Sequence, residues 1–284
     1  MAATKSNPTP ATGPTPARRD GGTVLHWAGA SDTGRLRGSN EDAWGAFAVG
    51  PDLHPLTAPV VPAPGRGALF VLSDGMGGAR AGEEASRICV DELGRALAPR
   101  SDAADRLGAM RESFQVVHAR LLEAARANPA WLGMGATLSA LWLPGDTSAV
   151  FGHVGDSRIY ARGAAGWRRL TDDHSLGEGL VRRGEMTPAA AARFRFRSLL
   201  EQVMGGDGRP IEPQVAVIEL ADVRAFALCC DGLYRPLEEN LAGRLTAAVD
   251  AADLALGAGE LVAAANAAGG PDNITVVLVR PAAA

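Results

Sequence analysis

The sequence contains no apolar run close to the roughly 20 residues that cross a bilayer. Its N-terminus is polar and Pro-rich, without the apolar core of a signal peptide. An excess of positive charge is absent too, since the formal net charge is -4 at pH 7. These absences indicate a soluble, cytoplasmic protein, expected to be a monomer, and they argue against general binding to nucleic acid or to anionic membranes.

Cysteine is scarce, with only three residues in the chain. They are Cys89, Cys229 and Cys230, an odd number that includes an adjacent pair. Such a set matches neither a disulfide framework nor a zinc motif. We therefore expect reduced thiols with a structural role.

The hydrophobic content of 46% is ordinary for a chain that buries a core. Residues 1–22 combine Pro, Ala, Thr, Ser and Gly without a hydrophobic period, which predicts a disordered tail. Residues 23–281 alternate strand and helix patterns and are predicted to form one domain. Within it, the Pro- and Gly-rich residues 50–67 are predicted to be a surface loop, because the apolar run that follows continues the same core.

Hydrophobic periodicity predicts two amphipathic helices and several strands. Apolar residues recur every three or four positions between 85 and 97 and between 107 and 124, which gives each helix one apolar face. Strand-like runs cover residues 136–143, 148–154, 157–163, 214–220, 224–230 and 273–280. Because only Gly155 and Asp156 separate the second run from the third, these two runs predict a β-hairpin.

Two further segments complete the pattern. Residues 172–206 are rich in Arg and have scattered apolar positions, which predicts an exposed helical flap. An Ala- and Leu-rich helical stretch is predicted from about 236 to 268, closed by Gly269 and Gly270. Strands before and after paired helices favour a layered α+β sandwich.

Several aspartates stand where buried strands meet turns. They are Asp74 in VLSDGMGG, Asp156 in VGDSR, Asp231 in LCCDG and Asp272 in GGPDN. Rigidly mounted carboxylates are the oxygen ligands that Mg²⁺ and Mn²⁺ prefer, so a shared metal site is one interpretation. Each Asp-Gly pair taken alone also fits an ordinary turn.

A basic and acidic cluster, RGSNED, precedes the first of these aspartates. It places Arg37 shortly before Glu41 and Asp42. The planar fork of arginine matches the oxygens of a phosphate group. The cluster therefore adds a possible anion-binding group to a possible cation site.

Seven segments carry a family resemblance: SDTGRLRGSNEDAW, VLSDGMGG, GMGATLSAL, GHVGDSRIY, LTDDHSL, CCDGLY and GGPDNITVVLV. They resemble, in order, the motifs of the bacterial type 2C metal-dependent Ser/Thr protein phosphatases, and they span residues 28–279. The resemblance implies a four-layer α-β-β-α sandwich of two antiparallel sheets flanked by helix pairs. It also implies a metal cleft at one end of the sandwich.

The resemblance assigns roles to matching positions. Asp74 would bridge two Mn²⁺ or Mg²⁺ ions, and the Gly75 carbonyl would bind the second. Asp231 and Asp272 would hold the first ion.

The remaining matches are less central. Glu41 and Asp42 correspond to an acidic pair near the second ion, Arg37 to the phosphate-binding arginine, and Asp156 to a residue associated with a third, weaker ion. Thr137 and Asn273 also match motif positions, where they would either support the site or contact substrate.

The implied reaction is the attack of a metal-bridging hydroxide on the phosphorus of phosphoserine or phosphothreonine, without a covalent phosphoenzyme. Met76 departs from the histidine that some relatives use as a general acid. Arg235 stands where many relatives carry an acidic residue beside the third ion. Since a guanidinium cannot ligate a cation and repels one, a third ion would bind weakly, or Arg235 would itself supply positive charge beside the phosphate.

Three functions are weighed. An active phosphatase acting on phosphorylated proteins, opposed by a cognate Ser/Thr kinase, is favoured because Asp74, Asp231 and Asp272 are all present. A catalytically weak phosphoprotein-binding module of the same fold is the alternative. A two-metal nuclease is disfavoured because the sequence has no basic stripe with interleaved aromatics. The flap arginines would either hold substrate or solvate an exposed face, and solvation is the simpler interpretation.

Overall fold

The computed structural model describes residues 23–50, 53–56, 67–77 and 79–283. The predicted tail, 1–22, and most of the predicted loop, 50–67, lie outside the described residues. The strands are β1 Thr23–Asp32, β2 Asp42–Val49, β3 His54–Pro55, β4 Gly67–Met76, β5 Gly135–Ala136, β6 Leu138–Leu143, β7 Ser148–Val154, β8 Arg158–Gly163, β9 Gly166–Arg169, β10 Met204–Gly205, β11 Gln214–Glu219, β12 Ala225–Cys229 and β13 Ile274–Ala283. The helices are α1 Ala79–Leu97, α2 Arg106–Ala127, α3 Leu176–Arg182, α4 Pro188–Ala191, α5 Asp231–Leu237, α6 Leu241–Asp250 and α7 Leu254–Ala267.

The strands form two antiparallel sheets packed face to face. The first sheet has the order β1-β13-β12-β8-β9. The second has the order β10-β5-β4-β6-β7-β11, with β2 beside β4 and β3 beside β2. Helices α1 and α2 cover the second sheet, and α5, α6 and α7 cover the first. The predicted α+β fold, a four-layer α-β-β-α sandwich, is confirmed.

Strand β4 shows how the sequence builds these layers. Leu69 and Val71 pack in the core under α1 and α2, whereas Phe70 and Leu72 pack in the core between the sheets. Successive side chains of a strand point to opposite faces, so a strand covered on both sides is apolar at every position. The strand then continues into polar residues, beginning with Ser73 and Asp74, and this change places a polar site at the end of a rigid core element.

The predicted hairpin of 148–154 and 157–163 is wrong. Strand β7 pairs with β6 and β11 in the second sheet, while β8 pairs with β12 and β9 in the first. Every residue of β7 is buried, which fits a strand enclosed by a helical layer and the opposite sheet. The two residues Gly155 and Asp156 therefore carry the chain from one sheet to the other, and Gly155 has φ +110, a conformation that favours glycine.

The helical stretch predicted from about 236 to 268 is divided into three helices. The first begins earlier, at Asp231, and the last begins after a break at residues 251–253. The Asp253 carboxylate caps the last helix by accepting a hydrogen bond of 2.8 Å from the Ala255 amide. The end of the stretch before Gly269 is as predicted.

The flap segment is less helical and less exposed than predicted. It contains the short helices α3 and α4 joined by turns, and Asp173, His174 and Ser175 at its start are buried. Asp173 accepts two hydrogen bonds from Arg158, of 3.0 and 2.8 Å, which anchors the base of the flap to the first sheet. No helix in the described ranges has both the length and the apolarity needed to cross a membrane.

Candidate metal and phosphate site

A cleft of about 640 Å³ opens where one end of the two sheets meets the flap. Seven of the eight predicted site residues line it, namely Arg37, Glu41, Asp74, Gly75, Asp156, Asp231 and Asp272. These residues come from loops and strand ends far apart in the sequence. The structure thus brings the predicted carboxylates and the predicted phosphate-binding arginine into one cleft.

Asp42, the eighth predicted residue, lies beside this group. It is paired directly opposite Asp74 on the neighbouring strands β2 and β4. One carboxylate oxygen, Oδ2, accepts a hydrogen bond of 2.6 Å from the Thr275 hydroxyl. The other, Oδ1, is buried and has no hydrogen-bond partner among the described residues.

Two polar residues hold the backbone of the site. The Thr137 hydroxyl accepts a hydrogen bond of 3.0 Å from the Asp74 amide, and the Thr137 amide donates one of 2.8 Å back to the Asp74 carbonyl. The Asn273 side chain accepts from the Glu41 amide and donates to the carbonyls of Thr33 and Ser39, at 2.8 to 2.9 Å. Both side chains are buried, and the Thr137 hydroxyl also shares a hydrogen bond of 2.7 Å with the Ser157 hydroxyl, so their contacts are with the protein around the site.

Gly75 is required by close packing. A Cβ at this position would collide with the carbonyl oxygen of Gly82 and, at 2.6 Å, with that of Glu41. The Gly75 amide donates a hydrogen bond of 3.1 Å to the same Glu41 carbonyl. The end of β4, the Glu41 loop and the first helix therefore meet at a point where no side chain fits.

Burial makes the negative charge of this cluster costly. It raises the pKa of Asp42 and of Asp156 to about 7, and repulsion from Asp231 adds to the effect on both. Burial, followed by repulsion from neighbouring aspartates, also raises the pKa of Asp74 well above its ordinary value. A divalent cation among these carboxylates would offset both the burial and the repulsion.

Two arginines enter the same cleft. Arg37 donates through Nη2 to Asp272 Oδ2 at 2.7 Å. Arg235 contacts two aspartates at once, Asp156 Oδ2 at 2.8 Å and Asp231 Oδ2 at 2.9 Å. These pairs draw oxygens of three aspartates towards guanidinium groups, and within the described ranges no three acidic, His or Cys side chains stand at the spacing of a ready-made metal site.

The donor set nevertheless fits a hard divalent cation. All the donors are carboxylate or carbonyl oxygens, as Mg²⁺ and Mn²⁺ prefer. Oδ1 of Asp42 and Oδ1 of Asp231 are buried without a hydrogen-bond partner in the described part of the chain, and such atoms are uncommon unless a ligand or ion completes them. Incoming cations would compete with Arg37 and Arg235 for the aspartate oxygens that these arginines now contact.

Some cleft residues escaped the sequence analysis. One wall is formed by residues 198–203 at the end of the flap, and another by Asp207, Arg209 and the residues after them. Positive φ angles at Gly205, Gly206 and Gly208 fold this segment over the cleft. These glycines indicate a turn in the sequence, but they do not indicate which surface the turn will cover.

The two histidines in the motifs, His153 and His174, are buried and hydrogen-bonded within the fold. His153 is fully buried, and its ring nitrogens lie 2.9 Å from the Ser139 hydroxyl and 2.9 Å from the Gly155 carbonyl. Burial lowers the pKa of His153 to about 3, so the ring is neutral in the folded protein. His174 accepts a hydrogen bond of 3.3 Å from the Gly155 amide. Both rings therefore hold the crossing between the sheets in place.

An acidic cleft at one end of a two-sheet α-β-β-α sandwich, with arginines beside the carboxylates, offers oxygen donors for divalent cations and guanidinium groups for a phosphate. The family model described as Protein phosphatase 2C matches residues 61–255. The chain belongs to the protein phosphatase 2C family.

Individual relatives agree with this assignment. The chain is 32% identical over 263 residues to the serine/threonine protein phosphatase PstP of Mycobacterium tuberculosis, covering 90% of this chain and 45% of that protein. It is 31% identical over 264 residues to the serine/threonine phosphatase stp of Listeria monocytogenes, covering 90% and 96%. The solved catalytic domain of PstP in complex with 2 manganese ions has a TM-score of 0.72 and 28% identity, covering 91% of this chain and 99% of that domain. The chain thus spans less than half of the mycobacterial relative and nearly all of the Listeria one.

Proposed function

We propose that this protein hydrolyses phosphoserine and phosphothreonine in other proteins, with two divalent cations held in the acidic cleft. The observation that carries the proposal is the convergence of Asp74, Gly75, Asp231 and Asp272 on one cleft in a chain of the protein phosphatase 2C family. The manganese complex of the PstP catalytic domain supports the same cation type. A Ser/Thr kinase would supply the phosphorylated substrates.

The residues take the following parts in this proposal. Asp74, at the centre of the cluster, would contact both ions, the Gly75 carbonyl one of them, and Asp231 with Asp272 the other. Bound divalent cations would lower the pKa of water and neutralise charge on the phosphoryl group. Arg37 would orient the phosphate with its planar fork. Thr137 and Asn273 would hold the backbone segments that carry Asp74 and Glu41 in position.

Substrate discrimination tests the proposed class. The purified protein with Mn²⁺ is expected to release phosphate from phosphothreonine and phosphoserine peptides and to leave DNA and RNA phosphodiesters intact. Malachite-green detection of phosphate and gel analysis of the nucleic acids measure the two activities. Nuclease activity with no peptide turnover would indicate a different two-metal hydrolase, and phosphopeptide binding without turnover would indicate a binding module.

Arg37→Ala is expected to raise KM for a phosphothreonine peptide about tenfold or more, because a charge-assisted fork on the phosphate is lost. The Arg37 side chain is 54% exposed, so it can leave Asp272 for a substrate without unfolding the loop. Mn²⁺ affinity measured by calorimetry should be equal or tighter, since Asp272 loses a competing partner. Arg37→Lys keeps the charge without the planar fork, so its KM should lie between those of the natural protein and Arg37→Ala. Loss of Mn²⁺ binding in Arg37→Ala would contradict the assigned role.

A further inference from the structure

The last part of the flap is an alternation of arginine and phenylalanine. Residues 193–199 read RFRFRSL, and we call this segment the Arg-Phe rim. Its arginines, Arg193, Arg195 and Arg197, are all exposed. Phe196 is 47% exposed and Leu199 is 60% exposed, which is unusual for such apolar side chains so close together. The rim therefore presents both positive charge and apolar surface to solvent.

The rim is held in a defined conformation. The carbonyls of Arg197 and Leu199 accept hydrogen bonds from the amides of Gly177 and Leu176, at 3.1 and 2.8 Å. The Phe194 and Phe196 rings meet edge to face with centroids 5.7 Å apart, and the Arg195 guanidinium lies 4.4 Å from the centroid of Phe196. These contacts hold the rim against the first residues of α3.

The rim adjoins the acidic cleft. Ser198 and Leu199, its last two residues, line the same cleft as Asp74 and Arg37, and Leu200 continues that wall. A peptide with its phosphorylated residue in the cleft must leave the cleft past one of its walls. The rim is continuous with one of these walls, so a peptide that leaves the cleft on this side passes the segment that carries the three arginines.

Among the described residues, no acidic side chain pairs with the arginines of the rim. Residues 182–201 contain five arginines and two glutamates, in a chain with a net charge of -4. Both glutamates, Glu185 and Glu201, pair with Arg183, at 2.8 and 3.5 Å. No ion pair joins Arg193, Arg195 or Arg197 to any residue that the structure describes. Three adjacent positive charges repel one another, and acidic side chains of a bound peptide would relieve that repulsion.

We infer that the Arg-Phe rim selects phosphoprotein substrates with Asp or Glu residues close to the phosphoserine or phosphothreonine. The inference rests on the proposed function and narrows its substrate class. The arginines supply the charge complement, and Phe196 with Leu199 supplies apolar contact for the peptide between its acidic residues. The rim arginines would then recognise acidic residues of the substrate, in addition to keeping the flap solvated.

The test compares phosphothreonine peptides of equal length whose flanking residues are Glu, Ser or Lys. The natural protein should have a kcat/KM about tenfold higher for the Glu peptide than for the Ser peptide, as expected for three exposed ion pairs of ordinary strength. The Lys peptide should be the poorest substrate. Raising NaCl to about 0.5 M, where the Debye length is roughly 4 Å, should reduce the preference. The variant Arg193→Gln/Arg195→Gln/Arg197→Gln should lose the preference and keep its turnover of p-nitrophenyl phosphate, which has no flanking residues.

The matched control is Arg111→Gln/Arg126→Gln/Arg244→Gln. These arginines are exposed, lie on helices away from the cleft lining, and have no ion pair with a described residue, so the net charge changes equally. The control should keep the preference for the Glu peptide. The inference would be overturned if the rim variant preferred the Glu peptide as strongly as the natural protein does. It would also be overturned if the control variant lost this preference to the same extent as the rim variant. Tight binding of an RNA oligonucleotide or of phosphatidylserine vesicles through the rim, with no discrimination among peptides, would also overturn it.

Failure of the proposed function is separable from failure of this inference. A natural protein that turns over neither p-nitrophenyl phosphate nor any peptide with Mn²⁺ would refute the phosphatase proposal. The rim is then tested by the fluorescence anisotropy of peptides carrying a non-hydrolysable phosphonate. Binding that favours Glu flanks and is lost in the rim variant would uphold the inference, and binding indifferent to the flanks would refute it.

Discussion

Asp74→Asn is expected to reduce phosphopeptide turnover by about a thousandfold or more, and excess EDTA should abolish the turnover of the natural protein. Asp74 occupies the centre of the acidic cluster, and it is the one residue proposed to contact both ions. An amide keeps the shape of the side chain and removes the charge that attracts a cation. Mn²⁺ or Mg²⁺ added after EDTA should restore activity to the natural protein and not to the variant.

Thermal unfolding gives a second measurement on the same proteins. Mn²⁺ should raise the Tm of the natural protein, because an ion bound only by the folded state stabilises it. In Asp74→Asn this increment should be lost, while the Tm without metal should be equal or higher because a buried repulsive charge is gone. Asp207→Asn is the matched control, because Asp207 lines the same cleft but is exposed and paired with Arg209. This substitution should change neither the Tm without metal nor the increase in Tm that Mn²⁺ produces. Turnover that is unchanged in excess EDTA would refute the two-metal proposal.

Arg235→Asp is expected to create or tighten an additional Mn²⁺-binding event. The natural guanidinium bridges Asp156 and Asp231, so it already occupies oxygens that a further ion would need. A unit charge at roughly 4 Å contributes about 4 kcal/mol at an effective dielectric constant of 20, and this guanidinium is 40% exposed, which reduces the effect. We expect affinity for the additional ion to change by about a hundredfold.

Calorimetric titration with Mn²⁺ decides the role of Arg235. The natural protein should lack a resolved third event, and Arg235→Asp should show one that disappears when Asp156→Ala is added. Arg235→Gln serves as the control that removes the positive charge without adding a ligand, and it should give an intermediate affinity. A clear third event in the natural protein, lost in Asp156→Ala and insensitive to Arg235→Asp, would show that the ion pairs do not compete with the metal.

The sequence predicted the parts of this protein that depend on local pattern. Helices α1 and α2 follow from their apolar periodicity, and the converging aspartates follow from motifs of a known order. The hairpin prediction failed at Gly155 and Asp156 because a two-residue link fits either a tight turn within a sheet or a crossing between sheets. The difference depends on which strands the flanking runs join, and that is decided by partners far along the chain.

The ion-pair partners of individual side chains could not be predicted from the sequence either. Arg235 was identified as a departure from the family pattern, but its two simultaneous partners depend on where the crossing places Asp156 relative to α5. Arg37 was predicted to hold phosphate, and its pairing with Asp272 could not be foreseen because the two residues lie at opposite ends of the chain. The exposure of Phe196 and Leu199 likewise depends on how the rim docks on α3.

The crossing at Gly155 and Asp156 marks a seam between the two sheets, and the cleft straddles that seam. Asp42 and Asp74 belong to the second sheet, whereas Asp231 and Asp272 lie at the ends of strands β12 and β13 of the first. A cation shared by both groups would act as a cross-link between the halves of the sandwich. Its affinity would then depend on the alignment of the sheets, so substitutions of residues packed between them, such as Phe70 and Phe226, would be expected to change metal binding without contact with the metal.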